Sequence, residues 1–135
     1  MNGQKKRQNN FIFVGLALFL GISFCVTYIT YKTGHFPQGN DIYGHWFKTN
    51  VLYHSIKEGV LYPTYTPFWY NNIDLFRYWP PLSYYVLAFI MLFCGGSLEI
   101  AYPIYLGLMC FVGASGWLLF GKRENRGWLS VAIGC

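Results

Sequence analysis

Charge is what this chain has least of. Asp, Glu, Lys and Arg make up 11% of its 135 residues, and only five of them are acidic, against about a quarter charged in ordinary globular domains. Too few charges are present to solvate the surface of a conventional soluble domain. The ten Lys and Arg give a net charge of +5, but they lie scattered between apolar stretches and form no stripe that could track phosphates. Nucleic acid is therefore not an expected partner. Cysteine is sparse as well: there are four, no two spaced as C-x-x-C, and Cys25, Cys94 and Cys110 fall inside apolar runs. Neither a disulfide framework nor a cysteine zinc site is expected, and these three read as small core hydrophobes. Internal repeats and low-complexity tracts are missing too. What the chain does have is 54% hydrophobic residues and 21% aromatics, with many Trp and Tyr near the ends of apolar runs, as at a membrane interface. The composition predicts an all-α membrane protein.

Lys5, Lys6 and Arg7 precede an uncharged run over 11–31, which as a helix of 21 residues spans ~31 Å, the thickness of a bilayer's hydrocarbon core. A cleaved signal peptide carries a shorter apolar core, followed by small residues. No A-x-A follows here, and Phe24 before Cys25 is too bulky for lipoprotein cleavage. The run is therefore expected to stay as transmembrane helix 1, with residues 1–10 as a basic cytoplasmic end. Over 32–79 the composition changes to Gly, Pro, Asn and Tyr, with Lys32, Asp41, Lys48, Lys57, Glu58, Asp74 and Arg77 as its charges. This reads as a long loop. Within it Asn40 or Asp41 is an N-cap candidate, and Ile42, Trp46, Thr49 or Leu52, Tyr53 and Ile56 recur at helical spacing up to Gly59. The pattern predicts an amphipathic helix over 41–58 at the membrane surface. The following stretch, punctuated by Pro63 and Pro67, is expected to be extended.

Pro80 and Pro81 suit the start of transmembrane helix 2 over 80–96, short for a span and ended by Gly95, Gly96 and Ser97. A third uncharged run over 100–120 is expected to be transmembrane helix 3. A short basic loop over 121–127 then leads into residues 128–135, the expected start of a fourth span, so that the sequence reads as a fragment of a longer multi-pass chain. Orientation by charge is contradictory: with the N-terminus inside, three Lys or Arg lie inside and seven outside, which favours the opposite sense.

Three stretches form a pattern: Gly39, Asn40, Asp41, Ile42, Tyr43, Gly44 and His45; then Gly59, Val60, Leu61, Tyr62 and Pro63; then Phe76, Arg77, Tyr78, Trp79, Pro80, Pro81 and Leu82. In order and spacing they resemble the start of a GT-C-type membrane glycosyltransferase. The nearest likeness is to bacterial multi-pass 6-pyruvoyl-tetrahydropterin synthase-related membrane proteins. The resemblance extends over about 11–120. It implies GT-C-like N-terminal transmembrane helices, a juxtamembrane helix in a first outward-facing loop, and an acidic residue soon after the first span. It also implies a plasma-membrane enzyme that moves a sugar from a polyprenyl-phosphate donor to an envelope acceptor, with membrane lipids around it. On the resemblance, rather than on charge, the N-terminus is expected in the cytoplasm and 32–79 outside. The competing expectation is a non-catalytic membrane scaffold or transport component.

The chemistry narrows to four residues. Glycosyl transfer to a hydroxyl needs a carboxylate as general base or acceptor-orienting group, and Asp41 holds the position of the family's acidic residue; its plainer role is helix capping. His45 and Lys48 follow one and two turns later, so the three would make one polar stripe above the membrane. Arg77, just before Pro80, could clamp a lipid phosphate, or simply reach into the headgroups. Trp69, with Tyr65, Phe68 and Tyr70, could stack on a sugar ring or belong to an interfacial belt. A divalent metal is left open because the family's fuller acidic pair is absent. The soluble pterin enzyme's three-histidine zinc site is not expected, since His45 and His54 are nine residues apart and would face opposite ways on a helix.

Overall fold

A computed structural model describes residues 2–34, 41–66 and 74–124, with side chains from Asn10 onward. The regular elements among the described residues are all helices: α1 (Asn2–Thr33), α2 (Ile42–Lys57), α3 (Leu82–Phe93) and α4 (Leu98–Arg123). It divides into two compact units, one of Met1–Ile29 with Leu106–Cys135, the other of Thr30–Tyr105.

In the first unit α1 and α4 run antiparallel, because Gly15 of α1 lies against Leu118 of α4 while Ser23 and Thr27 lie against Gly107. Glycine is required at 107: a Cβ there would stand 2.9 Å from the Ser23 carbonyl and overlap the Thr27 hydroxyl. Small residues let two backbones approach in this way when lipid offers no hydrophobic push. Away from this seam the apolar side chains are uncovered; Phe13 and Phe24 are each 71% exposed. Asn10–Thr33 and Leu98–Arg123 are long and apolar enough to cross a membrane, at ~36 and ~39 Å of helix. Helices that are apolar on all sides, yet leave those sides uncovered, have lipid as their solvent. The chain is an all-α membrane protein. Cys25, expected as a core residue, is exposed on α1, whereas Cys94 and Cys110 are half-buried.

In the second unit α2 packs on α3 around Leu52, Tyr53, Tyr84, Leu87, Ala88 and Met91. Leu75, Phe76 and Ala101 from the neighbouring segments close this core. Both helices end in the same backbone motif. Gly59 has φ +86°, its N–H bonds the Ile56 carbonyl and the Val60 N–H bonds that of Ser55. Gly95 and Gly96 have φ +64° and +84°, and the Gly96 N–H bonds the Met91 carbonyl at 2.8 Å. A left-handed residue after the last turn gives the orphan carbonyls their donors. α3 is thus only 12 residues, ~18 Å, and is not among the helices long enough to span. Ser97 Oγ then accepts the Ile100 N–H at 3.3 Å, capping α4. Between α2 and α3, Tyr65 pairs with Asp74 in an isolated antiparallel bridge, and the Tyr85 hydroxyl donates to the Leu61 carbonyl. These bonds hold 60–66 and 74–81 against the core.

Candidate functional site

Asp41, His45 and Lys48 stand four and three residues apart at the start of α2, which puts them on one face. The expected solvated stripe is realised only at Asp41. From His45 onward that face meets the start of α3: His45 Nδ1 lies 2.6 Å from the Tyr84 hydroxyl, with the two rings 26° apart in plane. When Tyr84 donates, the neutral imidazole carries its own proton on Nε2. The Trp79 indole stands perpendicular to the same imidazole, 5.2 Å between centroids.

Lys48 departs furthest from expectation, being buried, with Nζ 4.1 Å from the Trp79 ring centroid and 6.0 Å from that of Tyr84. Its four-carbon stem covers apolar surface while the ammonium rests on aromatic faces, an attraction of ~0.5–2 kcal/mol. Loss of water lowers the Lys48 pKa from its ordinary value, and the Asp41 carboxylate pulls it back up.

Asp41 occupies the N-cap position but in helical geometry, φ −82° and ψ −19°, and its side chain makes no capping hydrogen bond. A capping side chain needs an extended backbone to turn back onto the first N–H groups. Only the Asp41 carbonyl takes part, accepting the His45 N–H at 3.0 Å. The exposed carboxylate is left to face solvent and, through its charge, Lys48. The described contacts do not bring Arg77 into this cluster; it is exposed, its guanidinium 5.5 Å from the Tyr78 ring. Trp69 lies outside the described residues. His54 is exposed beside Tyr53.

Sequence reasoning missed Tyr84 and Trp79 as partners of His45. No spacing rule links positions 39 residues apart; the available signal was the aromatic-proline run Tyr78, Trp79, Pro80 and Pro81, whose prolines fix where α3 starts and so where both rings are presented.

Residues 76–135, which contain Arg77, Trp79 and Tyr84, match the family model described as 6-pyruvoyl-tetrahydropterin synthase related domain; membrane protein. This stretch is similar to that family. The match covers 60 of the 135 residues and leaves Asp41, His45 and Lys48 before it. No curated protein and no solved structure matches the chain.

Among the described residues no three His, Cys, Asp or Glu side chains gather closely enough to hold a metal ion. Asp41 and His45, one turn apart, offer two donors, short of the three protein ligands of a catalytic zinc site. What the cluster offers is a carboxylate able to take a proton, an imidazole oriented by a hydroxyl, and a cation and an indole side by side.

Proposed function

We propose that this chain is the N-terminal part of a multi-pass plasma-membrane glycosyltransferase that moves a sugar from a polyprenyl-phosphate donor to an envelope acceptor. The observation that carries the reading is the convergence of His45 and Lys48, next to Asp41, with Trp79 and Tyr84. A carboxylate is thereby set beside a polar and aromatic cluster at the foot of an apolar helix. In the reaction the acceptor oxygen forms a bond to the sugar's anomeric carbon as the bond from that carbon to the phosphate oxygen breaks. Asp41 takes the acceptor proton, and the phosphate leaves with the electron pair. His45 orients the acceptor through Nε2, and Arg77 steadies the lipid phosphate as a bidentate donor. Trp69 adds a stacking surface for the sugar.

Such transfer needs residues 32–79 on the outer face of the membrane. A single Cys in place of exposed Tyr65, in a chain lacking its native cysteines, tests this with a membrane-impermeant maleimide. Labelling in intact cells is expected. Labelling only after permeabilisation reverses the topology and removes the reading.

A further inference from the structure

The geometry points to Trp79 as a stacking platform for a pyranose ring, positioned by Lys48 and His45. It rests on the transferase reading and names a contact for its sugar. Trp79 is held through its ring and its backbone: Lys48 Nζ sits 4.1 Å from its ring centroid, the His45 imidazole abuts the ring at 90°, and its backbone N–H reaches the Phe76 carbonyl at 3.4 Å. Pro80 follows it directly and restricts its backbone to extended or turn geometry. Trp79 as a residue is nevertheless 41% exposed. A fixed, partly open aromatic residue flanked by an imidazole and an ammonium suits a ligand with an apolar face and a polar rim. A pyranose has that shape, with C–H groups on its face and hydroxyls at its edge. A quaternary ammonium headgroup fits badly, because the Lys48 ammonium already holds the cation position on the ring and would repel a second cation. A simple acyl chain would leave the polar flank without partners.

The chain, labelled with 15N at the indoles of its five Trp and placed in lipid nanodiscs, provides the test. Trp79→Phe assigns the Trp79 indole signal. The probes are the methyl pyranosides of glucose, galactose, mannose and N-acetylglucosamine, titrated separately. The Trp79 signal should move and saturate with at least one of them while the other indoles stay in place. Saturation transfer to that sugar should fall about 2- to 10-fold in Trp79→Ala, the range for one aromatic contact. Unchanged positions of the remaining indoles show that the variant is folded. Lys48→Met keeps the ring covered but removes the charge; it should shift the Trp79 signal before any sugar is added, as a positioning residue would. Movement with none of the four probes, or equal movement of all five indoles, overturns the proposal. Both readouts are independent of turnover, so a transferase reading that fails on activity leaves this result standing on its own.

Discussion

Gly107→Ala is the sharpest perturbation of the α1–α4 seam. The added methyl would stand 2.9 Å from the Ser23 carbonyl, which belongs to the backbone and cannot rotate away, and would overlap the Thr27 hydroxyl, which can. Overpacking of this kind costs ~1–3 kcal/mol, and a rigid backbone neighbour places the cost near the upper end. Replacing a helix-interior glycine by alanine returns ~0.5–1 kcal/mol. The net is a loss of about 2 kcal/mol, roughly 30-fold in the equilibrium between paired and separated helices. Gly113, on the same helix, has nothing within 4 Å of its Cβ position, so Gly113→Ala should be neutral or slightly stabilising. Adding Thr27→Ala to Gly107→Ala should recover part of the loss, since it clears the hydroxyl but not the carbonyl. The assay is reversible unfolding of the chain in mixed micelles with rising SDS fraction, followed by circular dichroism. Equal midpoints for Gly107→Ala and Gly113→Ala would refute the close approach of the two helices at this point.

Two further outcomes follow from the second unit. Gly95→Ala should cost the ~1–2 kcal/mol of a left-handed backbone alone, whereas Gly96→Ala should cost more, because its Cβ would also stand 2.7 Å from the buried Tyr53 hydroxyl; thermal melts of the two variants give the order. Lys48 sets a pH dependence. The unfolded chain holds that proton up to the ordinary value near 10.5, while the folded chain releases it at lower pH. Between the two values the unfolded state binds more protons, so stability rises with pH there. Lys48→Met should remove that rise, visible as a flatter melting profile than wild type across the alkaline range.

The helical class was legible because it depends only on run length and composition, and 11–31 and 100–120 are uncharged without interruption. Helix ends were legible where glycine marks them, as at Gly59 and Gly95. α3 proved shorter than the 80–96 expected, because Pro81 stands before its first turn and Gly95 closes its last. The site was legible only in part. Helical spacing put Asp41, His45 and Lys48 on one face, but spacing does not say what that face meets. A lysine is expected in water; here a long apolar stem and an indole make burial tolerable. Asp41 looked like a cap from its place before Ile42, and only its backbone angles show that its carboxylate does not cap.

The central claim is that Asp41 takes a proton in sugar transfer, and Asp41→Asn in the protein in its native membrane tests it most directly. The change keeps size and removes charge, and no capping hydrogen bond is at stake, so the amount of protein in the membrane should stay unchanged. Transfer of radiolabelled sugar from polyprenyl phosphate to envelope material should fall by at least ~10²-fold, the scale of a lost general base. Transfer at close to the wild-type rate, at equal protein level, would contradict the assignment.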